Sequence, residues 1–273
     1  MFNIYIQIWH IKLLALLHFQ SLSKAFLSIR VIFHMNVNKN DIKINDNINF
    51  SDYTETLLNK GRVQIHNFFT DTSAKKLQKL LVEHSQWYLA YNEFNNFYEI
   101  PFDKVESISS EAKTKFMDAL YQRAENNFQY VFKQFIISQA IQLNEESPIN
   151  FIDSFVNSTP FLNAMRTITN DKGINWADSI ASSYAPGHFL TNHDDIHNKN
   201  DRVVAYTIGM TEDWDPNWGG NLVFFDKNNN IEEGFLPRFN TLSVFTIPQQ
   251  HAVQLVAPFA NKERLSLLGW ANR

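Results

Sequence analysis

The residues best suited to chemistry lie in a short polar segment, where His193 and Asp195 are two positions apart. On a β-strand the side chains of residues i and i+2 point to the same face, so both could reach one metal ion while Asp194 points away. His251 is the best-placed third ligand, since it follows a β-type run and a turn at Pro248. Two histidines and one carboxylate form the ligand set of non-haem Fe(II) oxygenases and leave coordination positions open for a chelating cosubstrate and oxygen.

Two other histidines compete for the metal. His197 lies two residues past Asp195 and would face the same way unless the loop turns first, whereas His188 suits a pocket or surface position. Zinc usually prefers four-coordinate sites and would need no cosubstrate. A zinc-dependent hydrolase with the same ligands would need a general base beside the metal, and only Asp194 is available.

A second polar pair follows His251, because Arg264 and Ser266 are again at positions i and i+2 on a predicted strand. A dicarboxylate that chelates iron through its 2-oxo acid end has a distal carboxylate to anchor. The planar fork of an arginine suits that carboxylate, and a hydroxyl adds a further donor. Tyr184, on a strand before His193, could supply another hydroxyl inside a barrel.

Five motifs occur in order: Y-x-x-G from Tyr184, H-x-D from His193, G-G-x-L from Gly219, then His251, then R-x-S-x-x-G-W from Arg264. Together they resemble the prolyl-hydroxylase branch of the 2-oxoglutarate- and Fe(II)-dependent oxygenases. The resemblance is greatest to prolyl hydroxylases that act on a ribosomal protein and to their bacterial relatives.

The resemblance spans about residues 176–273, with weaker similarity from Gly61, and it implies a double-stranded β-helix. It further implies metal ligation by His193, Asp195 and His251 and binding of 2-oxoglutarate by Arg264, Ser266 and Tyr184. One departure is Gly209, at a position where several relatives carry Tyr or Asn. This glycine predicts either a lost cosubstrate or substrate contact or additional room.

The implied reaction is hydroxylation of a C–H bond, above all in a prolyl residue of a protein or peptide. Fe(II), 2-oxoglutarate and O2 would take part, succinate and CO2 would be released, and ascorbate would serve as a reductant. Two alternatives stay open. One is an oxygenase that acts on a small molecule or free amino acid, and the other is a catalytically silent jelly-roll binding module.

Composition narrows the possible partners and compartments. The chain contains no cysteine, which excludes disulfides, thiolate metal sites and iron–sulfur clusters. This fits a reducing compartment, and we expect a cytoplasmic protein. The net charge of -4 gives no reason to expect nucleic acid or an anionic membrane as partner.

The elements that must position these residues change in character along the chain. Helical spacing predicts helices from Asp71, over about 110–138 and from Thr159, with a short strand at 62–66 before them. After about Trp176, short β-type runs alternate with turns, which is typical of a sandwich or barrel. The predicted fold class is therefore α+β, a jelly roll backed by N-terminal helices.

The predicted organisation is one oxygenase domain over 61–273, with a helical part 61–175 and a catalytic core 176–273. A polar lead-in covers 35–60. Residues 1–34 hold bases but no acids. They are either sequence upstream of a start at Met35 or a targeting presequence.

Overall fold

The computed structural model describes residues 42–94, 96–143, 147–197 and 200–273. The predicted extension 1–34 lies outside these residues, so that its nature stays a prediction, as do the domain limits. Within the described ranges, no helix combines the length and apolar character needed to cross a bilayer.

The strands are β1 Arg62–His66, β2 Tyr88–Glu93, β3 Asn96–Pro101, β4 Tyr130–Ile136, β5 Trp176–Ala177, β6 Ile180–Tyr184, β7 Phe189–His193, β8 Arg202–Gly209, β9 Leu222–Phe225, β10 Ile231–Phe235, β11 Thr241–Thr246, β12 His251–Val253 and β13 Arg264–Asn272. The helices are α1 Thr54–Lys60, α2 Asp71–His84, α3 Phe102–Ser107, α4 Ser110–Ala124, α5 Ile137–Gln142, α6 Phe151–Val156 and α7 Thr159–Thr169, with 3-10 turns at Phe50–Tyr53 and Pro216–Trp218.

The strands form an antiparallel array in the order β1-β11-β8-β13-β6-β4-β7-β12-β9-β10. One half of β4 pairs with β6 and the other half with β7, so this strand passes from one layer of the roll to the other. At the ends of the order, Arg62 on β1 forms ion pairs with Glu232 and Glu233 on β10. The array is thus a nearly closed, barrel-like jelly roll, which confirms the predicted double-stranded β-helix.

Helices α1, α2, α6 and α7 cover one face of this array and build the larger apolar core. On β13, Leu265 and Leu267 enter that core, while Arg264 and Ser266 point to the interior of the roll. This alternation follows from the two-residue period of a strand. A single strand thereby contributes both to packing and to a polar interior.

The helix predicted over 110–138 was wrong in its second half. The helix α4 ends at Ala124, and the chain forms β4 instead. Burial along β4 alternates, with Val131, Lys133 and Phe135 buried on one face. Phe132 and Phe135 are three positions apart, as on one face of a helix, but they lie on opposite faces of β4. β-Branched and aromatic residues favour a strand.

Two further elements differ from the sequence-based expectations. The β2–β3 hairpin was not predicted, because its charged and amide side chains mask the alternation. The lead-in, predicted as polar, also contributes to the core: α1 packs into it through Leu57, which is 1% exposed, and Ile42 is buried as well. The predicted helix starts are confirmed, with Thr70 capping α2 and Pro160 in the first turn of α7.

Candidate metal and cosubstrate site

The structure brings the three predicted metal ligands together at the junction of β7 and β12. His193 ends β7, His251 begins β12, and the two residues are direct partners across the strands. Asp195 places Oδ1 3.3 Å from Nε2 of His193 and Oδ2 3.4 Å from Nε2 of His251. All three ligand atoms lie within 4.8 Å of one another, which is close enough to share one metal ion.

The hydrogen bonds of the two imidazoles favour metal binding. Nδ1 of His193 lies 3.0 Å from the carbonyl oxygen of Thr191, and Nδ1 of His251 lies 2.7 Å from that of Gln249. A carbonyl oxygen can only accept, so each Nδ1 carries the hydrogen and a neutral ring leaves its Nε2 lone pair free. Two Nε2 lone pairs then face the carboxylate, an arrangement that a cation would bridge. Histidines that bind metals commonly have this second hydrogen bond.

Asp195 reaches the cluster by a route that the sequence does not predict. The strand β7 ends at His193, so strand alternation does not align the two ligands. Asp195 instead adopts a left-handed backbone with φ of +61°, which aspartate tolerates better than most residues. The turn returns its carboxylate toward the strand end.

The electrostatics keep this carboxylate ionised. Burial acts to raise the pKa of Asp195. When the two imidazoles are protonated, their Nε2–H groups donate to the carboxylate, and these interactions outweigh burial and hold the pKa of Asp195 well below its usual value. The side chain is therefore a charged ligand throughout the physiological range.

The two rival histidines lie apart from the cluster. His197 is exposed, and its Nδ1 accepts a hydrogen bond from the backbone N–H of Asn200. His188 is buried and accepts from the backbone N–H of Ala185. Burial lowers the pKa of His188 to about 4, so its ring is neutral and structural.

A cavity of about 130 Å³ opens beside the triad and is lined by all three of its residues. The triad shares it with Arg264 and Tyr184. A smaller cavity continues behind Arg264 and contains Ser266.

Arg264 is the residue of this interior that indicates which kind of ligand fits there. The residue is 5% exposed, its Nε has no hydrogen-bond partner, and no carboxylate in the described ranges pairs with its guanidinium. The guanidinium lies 5.3 Å from the ring centre of Tyr184, its partner on β6. Burial lowers the pKa of Arg264. A buried cation without a counter-ion is costly, so this position fits an anionic ligand such as the distal carboxylate of 2-oxoglutarate.

Gly209 is explained by close backbone packing. A Cβ atom there would come within 2.1 Å of the carbonyl oxygen of Arg238. The additional room that this glycine suggests is therefore absent, because the backbone of Arg238 fills it. Any larger residue would displace the segment before β11.

Two residues that line the site were not identified in the sequence. Thr207, two residues before Gly209, lines both cavities, and its buried hydroxyl has no hydrogen-bond partner among the described residues. Trp270 packs against the apolar cluster inside the roll and lines the main cavity, with Arg202 stacked on its ring. Strand alternation from Arg264 and Ser266 would have placed Trp270 correctly.

The fold and the site together define a jelly-roll protein with a candidate two-histidine, one-carboxylate metal centre. Residues 179–272 match the family model described as "2OG-Fe(II) oxygenase superfamily". This segment contains all six predicted site residues, and the predicted resemblance to that superfamily is confirmed. No curated protein matches the chain.

Solved structures share the fold at low sequence identity. A prolyl-4-hydroxylase from Pseudomonas putida is 18% identical, with a TM-score of 0.52 over 82% of this chain and 99% of that chain. A Trichoplax adhaerens prolyl hydroxylase, solved with a hypoxia inducible factor oxygen degradation domain peptide fragment, is 16% identical, with a TM-score of 0.53 over 81% and 88%. A 2OG-Fe(II) oxygenase family oxidoreductase from Burkholderia pseudomallei is 14% identical, with a TM-score of 0.53 over 84% and 93%.

Proposed function

We propose that this protein is an Fe(II)- and 2-oxoglutarate-dependent dioxygenase that hydroxylates a prolyl residue in a protein or peptide. The metal ligands would be His193, Asp195 and His251, and the cosubstrate contacts would be Arg264, Ser266 and Tyr184. The observation that carries the proposal is the shared cavity, which holds a metal-ready triad at one side and an unpaired buried guanidinium at another.

When bound, iron with 2-oxoglutarate and O2 supplies the chemistry that oxidises a C–H bond and releases succinate and CO2. The protein supplies the geometry. Arg264 would bind the distal carboxylate through its planar fork, with the hydroxyl of Ser266 as a neighbouring donor on the same face of β13. The apolar cavity wall, which includes Leu190, Phe245 and Val253, would exclude water from the reacting centre.

Anaerobic titration with Fe(II) and then 2-oxoglutarate tests the oxygenase class, through the metal-to-ligand charge-transfer band of the chelate. We expect the band in the wild type, its loss in His193→Ala, and its retention in the matched control His197→Ala. A band that survives His193→Ala would refute the assignment of the metal site. A protein that forms the chelate but releases no succinate with any substrate would instead be a silent binding module.

An aromatic track, defined as Phe97, Phe128, Tyr130, Phe132 and Tyr184, supports a polypeptide substrate. Its ring centres are separated by 6.4 Å from Phe97 to Tyr130, by 5.5 Å from Tyr130 to Phe132 and by 4.7 Å from Phe132 to Tyr184. Phe97 is 76% exposed, so the track leads from the surface to the cavity wall.

Phe128 joins the track to the metal centre, since its ring lies 5.7 Å from that of His193. A free amino acid would need no contact as far out as Phe97. Extended proline-containing peptides, in contrast, commonly bind to surfaces lined with aromatic side chains. The track therefore favours a peptide over a small molecule.

Succinate release with proline-containing peptides and with free amino acids, in the presence of ascorbate, tests the substrate class. We expect turnover with peptides, and a several-fold higher KM in Phe97→Ser. The control Phe259→Ser alters a ring that is 70% exposed but does not belong to the track, and its KM should not change. Turnover of free amino acids with an unchanged KM in Phe97→Ser would favour the small-molecule alternative.

A further inference from the structure

We infer that Arg202 is a positioning residue that holds the loop of the metal ligand Asp195 against the cavity wall at Trp270. The inference rests on the proposed function, because it assumes that Asp195 binds the metal. Arg202 contacts neither the cavity nor the cosubstrate residues directly. Its effect would therefore pass through the two residues that it touches.

The first contact fixes the backbone of Asp195. One terminal nitrogen of Arg202, Nη1, donates a hydrogen bond of 3.0 Å to the carbonyl oxygen of Asp195. That residue is in the left-handed region, with φ of +61°, a conformation that non-glycine residues keep only when their surroundings enforce it. The hydrogen bond acts on the same residue whose carboxylate must meet both imidazoles.

The second contact joins the guanidinium to the cavity wall. The central carbon of the Arg202 guanidinium lies 3.6 Å from the ring centre of Trp270, which is typical of a stacked arginine. Trp270 lines the cavity together with Asp195. Arg202 thus contacts the metal-ligand loop on one side and the wall on the other.

Arg202 itself is well anchored. It begins β8 and pairs with Asn272 on β13, so its backbone belongs to the sheet. Burial lowers the pKa of its guanidinium below the ordinary value, although Asp195 and Asp178 both act against this shift. The Nε of Arg202 is buried without a hydrogen-bond partner in the part of the chain that the structure describes. Its Nη1 bond and its stacking on Trp270 are therefore the contacts that define its position.

The test measures metal binding rather than turnover. Co(II) is titrated into the full-length protein, and both the dissociation constant and the visible d–d spectrum are recorded. In Arg202→Met, which keeps an unbranched apolar stem but loses the charge and the donors, we expect about 10- to 100-fold weaker binding, as for other outer-shell contacts of metal sites. The d–d bands should also shift, because the carboxylate ligand is no longer held in place.

Arg166→Met is the matched control. Arg166 is also half-buried and also donates to a backbone carbonyl, that of Ile174 at 2.7 Å, but it lies on α7 outside the cavity. Its Co(II) affinity and spectrum should equal those of the wild type. Arg202→Lys keeps the charge and one donor but loses the planar stacking, so we expect an intermediate affinity.

Wild-type affinity and spectrum in Arg202→Met would overturn the inference, and so would an equal loss in Arg166→Met. If Arg202→Met does not fold, Arg202→Lys decides, since an unchanged dissociation constant and spectrum there would also overturn it. The variant His193→Ala separates this inference from the proposed function. If His193→Ala still binds Co(II) like the wild type, the metal site itself is refuted. If His193→Ala loses Co(II) binding while Arg202→Met binds Co(II) like the wild type, only the positioning effect is refuted.

Discussion

The two faces of β13 differ in the polarity of their buried side chains. Toward the helices, Leu265 and Leu267 are buried in the larger apolar core. Toward the cavity, Arg264 and Ser266 are equally buried, at 5% and 1% exposure, but they are polar. The same nine-residue strand therefore belongs to a packed core on one face and to a candidate binding site on the other.

The difference lies in how completely the buried groups are satisfied. The cavity face holds buried polar atoms that lack a partner in the described residues, namely Arg264 Nε, Thr207 Oγ1 and Trp270 Nε1. Each such atom costs about 1–3 kcal/mol of stability. A ligand that forms hydrogen bonds with these atoms would therefore stabilise the cavity face on binding.

The strongest test of this comparison replaces Arg264. In Arg264→Met, we expect the affinity for 2-oxoglutarate to fall by about 1,000-fold, because truncating one partner of a buried charged contact costs about 2–5 kcal/mol. The metal-ligand residues are untouched, so Co(II) binding should persist. The free energy of unfolding of the ligand-free protein should stay the same or rise, because an unpaired buried charge has been removed.

Two measurements check this expectation: charge-transfer titration for the cosubstrate and urea unfolding for stability. A variant that keeps its 2-oxoglutarate affinity would show that the guanidinium serves another purpose. A large loss of stability would show that Arg264 belongs to the packed face after all.

The converse variant changes Leu267, which lies on the helix-facing side of the same strand. Leu267 is fully buried at 0% exposure, and Leu267→Ala should lower the free energy of unfolding by about 3 kcal/mol through lost burial and a residual cavity. The affinity of the folded variant for 2-oxoglutarate should match that of the wild type within a few-fold. A large affinity loss would mean that the two faces are not separable.

His188, a buried polar residue with a hydrogen-bond partner, extends the comparison to the pH dependence of stability. Burial lowers the pKa of His188 to about 4 from an ordinary value of 6.5, so the folded state binds fewer protons than the unfolded state between these values. Stability is therefore complete above pH 6.5 and should fall by about 3 kcal/mol as the pH drops to 4, at about 1.4 kcal/mol per pH unit.

Urea unfolding between pH 7 and pH 4 checks this contribution against the variant His188→Gln. The glutamine can still accept the backbone hydrogen bond of Ala185 but does not titrate. Its stability should fall less steeply with acidification. Parallel curves for the two proteins would contradict a neutral, buried His188.

The smallest expected effect belongs to Thr207. Replacing its buried hydroxyl in Thr207→Val keeps the shape of the side chain and removes a donor from the cavity. We expect about five-fold weaker 2-oxoglutarate binding, the value of one neutral hydrogen bond, with unchanged or slightly higher stability. Isothermal titration and urea unfolding of the same samples would measure both. Unchanged affinity would place Thr207 outside the cosubstrate contacts.

The sequence predicted those features that depend on local periodicity and motif order. The jelly roll, the approach of His251 to His193, and the common face of Arg264 and Ser266 all agree with the structure. The left-handed turn at Asp195 could not be predicted, since its conformation depends on the surrounding contacts. The strand β4 was mistaken for a helix because the spacing of its apolar residues also fits one face of a helix, whereas its pairing with distant strands makes it a strand.

The ion pairs of Arg62 with Glu232 and Glu233 have a consequence for folding. Glu232 and Glu233 follow Arg62 in the chain by 170 and 171 residues. Contacts between such distant segments form slowly, because a large loop must close before any interaction energy is gained. The seam between β1 and β10 can form only after most of the chain has been synthesised. We therefore expect the cavity to become enclosed late in folding, when this seam closes.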